Sequence, residues 1–306
     1  LVELVSLTYA PNLRQAAKQL IGFQMKCSIS VIIPTVNEPT LEVCLSKLIP
    51  QLGWEDETLV IGRFSPSLEP KFPKVRFIST PEMVNPATAR NLGMQKAKGD
   101  LFLFLDSDCI PSEGWIENHR KCQIKGLRVV GGGVDISNPN FWILSDNLSM
   151  FHEFSSTQPD GEKFLLPTCN LSVHREVVQK VGGLNELLPR GEDSDWTIRM
   201  KKAGYSLNFF CTISVLHCPM RENWRLVFEH WFQSGRNNVR VRRNYPEAFG
   251  VPRWIYHPIC LRFFSPLIAL ITTLKIFSHQ PFWKLWRTFP AVYLTKVIYC
   301  WGAATK

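Results

Sequence analysis

A chain of 306 residues with 45% hydrophobic and 20% charged residues carries enough apolar side chain to bury a sizeable core, which excludes disordered, collagen-like and low-complexity classes. The length suits one α/β enzyme core with a terminal appendage. The formal net charge of +9 is uneven: residues 221–306 hold 13 Lys and Arg against 3 Asp and Glu, whereas residues 1–220 hold 22 against 23.

Residues 1–24 precede Met25 and Lys26 and show no basic stretch followed by an apolar run. They are expected to be a poorly packed N-terminal extension, not a signal peptide. The run over residues 28–33 is short and β-branched and stops at Pro34, the pattern of a strand buried on both faces. Leu41, Cys44, Leu45, Leu48 and Leu52 follow at helical spacing. Further strands are predicted over residues 58–61, 75–78 and 101–105, with a helix over 86–98 before the last. Strands alternating with helices imply an α/β fold, a parallel sheet with helices on both faces. Ligands of such sheets sit beyond the carboxyl ends of the strands, and the fourth strand ends in Asp106-Ser107-Asp108. Two carboxylates there can hold Mn²⁺ or Mg²⁺ against a diphosphate. Taken alone, Asp-x-Asp is also common in solvated turns.

The surrounding motifs are more specific. Residues 85–93 read N-P-A-T-A-R-N-L-G, residues 97–100 read A-K-G-D, and the apolar strand with Asp106 follows directly. Ser30 to Glu38 reads S-V-I-I-P-T-V-N-E; Thr168 to Ser172, Gly182 to Glu186 and Gly191 to Trp196 come later in order. Across residues 28–210 this ordered set resembles the family 2 glycosyltransferases. The resemblance implies a GT-A fold over residues 25–220, a Rossmann-like, mixed and mostly parallel sheet. It also implies an inverting transfer from a nucleotide-sugar donor with a divalent cation, Mn²⁺ or Mg²⁺, as cofactor.

By that resemblance Asp108 is a direct metal ligand, and Asp106 lies nearer the ribose or holds a metal-bound water. His217, after a strand predicted over 207–212, stands where relatives offer a further metal contact, although a lone histidine also serves structurally. Pro34, Thr35, Asn37 and Glu38 follow the first strand and are expected to hold the nucleotide, with Arg90 pairing a phosphate through its rigid donor fork. Glu192 and Asp193 open a helix after Gly191, where carboxylates also cap free amides. The family's matching pair points into the acceptor cleft, and Asp193 resembles its general base; deprotonating the incoming hydroxyl on the face opposite the nucleotide gives inversion. Trp196 and Asn170 are expected to touch the acceptor, and Asp195 to be a cap or packing partner. The chain departs from the family after the second strand, where Gly62 and Arg63 replace the usual base-contacting Asp. UDP is then only the default nucleotide, with GDP and dTDP open. The departure also motivates an alternative, a catalytically inactive sugar-nucleotide binder or scaffold of the same fold. Against it stands the intact set Asp106, Asp108, Glu192 and Asp193.

Residues 221–306 contain 18 of the 36 aromatic residues, among them Trp224, Trp254, Trp283 and Trp286. Such basic, aromatic and apolar character describes a helical segment at a membrane surface. Gln233-Ser234-Gly235-Arg236 resembles half of the Gln-x-x-Arg-Trp element of processive members, with Asn237 in the place of Trp. A membrane-facing basic helix is expected over residues 222–243. The stretches 258–277 and 282–301 are interrupted by Arg262, Lys275, Lys284, Arg287 and Lys296, and neither is a clean span of about 20 uncharged residues. An interfacial or re-entrant hairpin is expected, its basic side chains snorkelling to headgroups. No nucleic-acid partner is expected, because the positive charge is interleaved with long apolar runs. Nine scattered cysteines, none spaced Cys-x-x-Cys, point to a reducing compartment. The expectation is an enzyme at the cytoplasmic face of the cell membrane that glycosylates a sugar or lipid-linked hydroxyl, in polysaccharide or glycolipid synthesis.

Overall fold

The computed structural model describes residues 27–306; the expected extension over residues 1–24 lies outside the described residues. Strands β1 (Ile29–Val36), β2 (Glu57–Arg63), β3 (Val75–Ser79) and β4 (Leu101–Leu105) run parallel in the spatial order β3-β2-β1-β4. Every residue of β4 is buried, as are Ile29 to Ile33 of β1, which is why these runs read as continuously apolar. Helix α1 (Leu41–Leu48) adds Leu41, Leu45 and Leu48 to the same core, and α2 (Pro86–Lys96) adds Ala87 and Met94. Asn85 caps α2 by accepting from the Thr88 amide at 2.9 Å, and Pro86 occupies a position whose amide is free anyway. The chain leaves β1 towards β2 and β3 on one side and reaches β4 on the other. The cleft between the carboxyl ends of β1 and β4 is therefore the switch point where a ligand fits.

Beyond β4 the sheet is mixed. β8 (Asn170–His174) runs antiparallel to β4, followed by β6 (Val129–Asp135), β9 (Asn208–His217) and the short β5 (Cys109–Pro111), with β7 (Gly161–Glu162) on β9. The β5–β9 pairing sets Cys109 opposite His217. It thereby delivers a residue from late in the chain to the end of β4. Helices α3 (Trp115–Ile124), α4 (Phe141–Phe151), α5 (Arg175–Val181) and α6 (Glu192–Lys202) complete this part.

Three long helices follow: α7 (Trp224–Asn244), α8 (Pro258–Ser278) and α9 (Phe289–Ala303). Residue 220 is not a packing boundary, because Ile276, Phe282 and Val292 belong to the main core. Asp146 of α4 is fully buried and accepts from Arg221 Nε at 2.6 Å and Trp231 Nε1 at 2.7 Å. Ser149 and Thr295 share a hydroxyl hydrogen bond at 2.7 Å. Lys296, expected to reach lipid headgroups, instead donates to the Ser149 carbonyl at 2.7 Å and lies over the Trp231 ring. Its ammonium thus meets a carbonyl and a π face inside the protein. Helices α7 and α9 meet backbone to backbone: a methyl on Gly235 would strike the Tyr299 carbonyl, and one on Gly302 the Phe232 carbonyl.

Helix α8 differs from its neighbours. Ile259, Phe263, Leu267, Leu270 and Leu274 recur at four- and three-residue spacing, on one face, and all are exposed, Phe263 to 75%. The helix is long and apolar enough to cross a membrane, by length and composition.

Candidate active site

The turn after β4 places Asp108 beside His217, with Asp108 Oδ2 3.4 Å from Nε2. The Cys218 amide donates to the Asp108 carbonyl at 2.8 Å, which fixes the turn against the end of β9. The other ring nitrogen, Nδ1, is 2.6 Å from Asn147 Oδ1, and Asn147 Nδ2 donates to the Ile136 and His217 carbonyls. An amide oxygen only accepts, so Nδ1 carries a proton and a neutral His217 turns its Nε2 lone pair towards the Asp108 carboxylate. Two acceptors at that separation call for a cation between or beside them, a proton or a metal ion. Burial raises the Asp108 carboxyl; where the cation is a proton on the ring, the charge of His217, its hydrogen bond and the nearby Arg221 outweigh burial and bring the carboxyl down to about 2. Carboxylate oxygen with imidazole nitrogen suits Mn²⁺. Among the described residues no three His, Cys, Asp or Glu gather closely enough to hold a metal alone. A diphosphate would have to complete the coordination, as it commonly does for small divalent ions. Asn147, on α4, was not singled out in the sequence, and only the β9 pairing reveals it.

Asp106 faces the opposite way. Its Oδ1 accepts from Arg90 Nη2 at 2.6 Å, while Arg90 Nη1 donates to Glu192 Oε1 at 2.9 Å. Arg90 is 3% exposed, so its fork is filled by two carboxylates where the sequence suggested a phosphate. It is a clamp between the end of β4 and the start of α6. Burial pushes the Glu192 carboxyl up, and the charge of Asp193 adds to this; the opposing pull of Arg90 leaves it at about 7. Asp193 is also raised, first by burial. Its Oδ1 accepts from the Ser194 amide at 2.6 Å and more weakly from the Ser194 hydroxyl. Its Oδ2 has no hydrogen-bond partner among the described residues. A carboxylate with a raised pKa and one free oxygen is chemically able to take a proton from a hydroxyl.

A cleft of about 230 Å³ joins this group to the end of β1; Pro34, Thr35, Glu38, Gly62, Arg63, Arg90, Asp106 and Asp108 are among its lining residues. Thr35 Oγ1 is buried without a hydrogen-bond partner among the described residues, an acceptor and donor left for a ligand. Asn37 does not line the cleft. It makes the turn, with a left-handed backbone (φ 52°) and its amide on the Arg63 carbonyl at 2.7 Å. Gly62 faces Thr35 across the β1–β2 ladder, and any Cβ there would strike the Thr35 carbonyl. The departure from the family pattern is thus built into the backbone of the cleft wall.

Two expected acceptor residues are elsewhere. Trp196 is fully buried: its indole N–H donates to the Gly182 carbonyl at 2.8 Å and its ring packs edge-on against Phe104. Asn170 is fully buried too, accepting from Trp115 Nε1 and donating to the Gly133 and Ile213 carbonyls. Both are core fasteners. Asp195 is a packing partner as expected, pairing with Arg199 at 2.9 Å and accepting from the Tyr245 hydroxyl at 2.9 Å.

Comparison with known proteins bears on the family and the fold. The model of the glycosyl transferase family 2 matches residues 30–182. Glycosyltransferase AglE of Haloferax volcanii is 27% identical over 246 residues, covering 74% of this chain and 79% of that protein. The pre-mycofactocin glycosyltransferase of Mycobacterium tuberculosis is 26% identical over 151 residues, 47% of this chain and 32% of that protein. The fold matches the mannosyltransferase PcManGT from Pyrobaculum calidifontis, solved with GDP-Man and Mn²⁺, at a TM-score of 0.56 and 15% identity over 88% of this chain and 86% of that one. It also matches GalNAc-T7, solved with UDP, GalNAc and Mn²⁺, at 0.52 and 17% over 74% of this chain and 52% of that one. With the mixed sheet, the switch-point cleft and the Asp-x-Asp turn in place, the chain belongs to glycosyltransferase family 2, with the GT-A fold.

Proposed function

We propose that this glycosyltransferase is inverting and uses a divalent cation, with a nucleotide sugar bound in the cleft between β1 and β4. The carrying observation is the Arg90 clamp, which ties Asp106 at the donor end to Glu192, the neighbour of Asp193, at the other. Asp108 and His217 would hold the cation, which when bound neutralises charge on the departing diphosphate. Thr35 Oγ1 offers the nucleotide a hydrogen bond. Asp193 Oδ2 takes the proton of the acceptor hydroxyl as that oxygen bonds to the anomeric carbon and the bond to the diphosphate oxygen breaks. Arg90 keeps Asp106 and Glu192 from repelling each other across the cleft. UDP-sugar is the default donor; the neighbour solved with GDP-Man makes GDP-sugar its rival. Donor hydrolysis measured over a panel of nucleotide sugars with and without Mn²⁺ tests the reading. Metal-independent nucleotide binding and no hydrolysis of any donor would overturn it and favour the inactive-binder alternative.

The exposed apolar face of α8, flanked by exposed Trp254, Trp283 and Trp286, supports a membrane surface as partner. Nine free thiols support a reducing compartment. Together they favour the cytoplasmic face of a membrane and a sugar or lipid-linked acceptor, in polysaccharide or glycolipid assembly.

A further inference from the structure

A second hollow, of about 420 Å³, lies between α7 and the loop that leads into α6, and it shares no lining residue with the donor cleft. Arg236, Arg240 and Arg243 project into it from one face of α7, at four- and three-residue spacing, and Lys306 joins them. Leu187, 76% exposed, and Pro189 form its apolar wall. Among the described residues none of these four cations forms an ion pair. Only Arg243 has a hydrogen bond, one terminal nitrogen on the Tyr256 carbonyl at 2.7 Å.

An ordinary solvated helix face intersperses acids four residues from its bases. Here the i, i+4 pair is Arg236 with Arg240, like charges that destabilise a helix. Glu229, the one acid of α7, lies about two turns before Arg236 and is held by Gln233 at 2.8 Å. Uncompensated cations in a concave site create a potential that favours a multiply charged anion. Three guanidinium forks fit the several oxygens of a phosphate better than the two of a carboxylate.

The hollow is also placed for the acceptor. Pro189 on its wall is four residues from Asp193, so about 14 Å at most separates them along the chain. Gly191 rests against Asn238 and Val241 of α7, and Glu192 reaches the donor cleft through Arg90. The first turn of α6 therefore stands between the two cavities. We propose that this hollow is an anion site that holds a phosphate monoester or diphosphate of the acceptor while Asp193 receives its hydroxyl. The assignment rests on the transferase reading of the donor cleft, but its binding test does not require turnover.

Calorimetry of the full chain with inorganic pyrophosphate, without divalent cation, is expected to show saturable binding. Arg236→Ala with Arg240→Ala is expected to weaken it about tenfold or more, and Asp108→Ala to leave it unchanged. Arg236→Gln with Arg240→Gln, which keeps polar side chains on the helix, should show the same loss at an unchanged melting temperature. Flotation with phosphatidylcholine vesicles doped with hexadecyl phosphate, against phosphatidylglycerol at equal charge, separates the sources. Preference for hexadecyl phosphate supports a lipid-borne phosphate; pyrophosphate binding without vesicle preference supports a soluble one. Absence of both, binding that survives the arginine variants, or binding abolished by Asp108→Ala would overturn the proposal. In the last case the anion belongs to the donor cleft, and the transferase reading still stands.

Discussion

Asp108 and His217 face each other with the proton of Nδ1 held away by Asn147, so the carboxylate and the ring nitrogen present lone pairs to one point. Asp108→Ala is expected to abolish turnover and the Mn²⁺ dependence of nucleotide binding while leaving the melting curve close to wild type; calorimetry with and without Mn²⁺ checks this. Asp193→Asn should keep donor affinity and lower turnover about a hundredfold, the scale for loss of a positioned base; equal losses in both would make Asp193 a helix cap. The Glu192 carboxyl, raised to about 7 by burial and by Asp193, gives two pH effects. The rate profile of kcat/KM should fall below about pH 7 with an apparent pKa that belongs to the Glu192–Asp193 pair. Between its ordinary value and about 7 the folded chain keeps a proton that the unfolded chain has released, so Glu192 costs stability as pH rises through that window. Glu192→Gln cannot ionise and should lose less stability than wild type between about pH 5 and pH 8 in thermal melts.

Among the elements, the α7–α9 crossing is the most sensitive to volume, because Gly235 and Gly302 let two backbones touch. Gly235→Ala should destabilise by about 1–3 kcal/mol, as overpacking does, measured by urea unfolding. A chain ended after Tyr256 would strip Thr295 and Lys296 from Ser149 and leave Phe282 and Val292 out of the main core. It is expected to lose cooperative unfolding, contrary to the separable tail that composition suggests. The parallel half of the sheet was legible because its strands are short, mostly apolar and β-branched or aromatic runs between helical stretches, and the Asp106–Asp108 turn because it follows the wholly apolar run of β4 directly. The fates of Trp196 and Asn170 were not legible. An aromatic beside two acids reads as a pocket floor until β4 brings Phe104 beneath it, and the four partners of Asn170 come from β6, β9 and α3. Arg90 was legible as a functional residue but not as a clamp, because Glu192 is 102 residues away in sequence.

For the whole molecule, the exposed apolar face of α8 is the surface on which the proposed membrane contact can be tested. Wild-type protein should float with anionic vesicles and resist release by salt, since apolar burial outlasts screened charge. Phe263→Asp with Leu267→Asp should release it while donor hydrolysis continues. Vesicle binding unchanged by the pair of substitutions would remove α8 from the membrane reading. Lys296 and Thr295 bolt α9 to α4, on which Asn147 also sits, and the glycine crossing joins α7 to α9. No flexible tether intervenes between the surface that would rest on lipid and the residue that orients His217. Were α8 to rest on a bilayer as proposed, such an enzyme would work as a fixed-height gauge, reaching hydroxyls only at one distance above the lipid. An acceptor that has grown by further sugars would carry its new end out of range, so chain length would be limited by carpentry rather than by recognition.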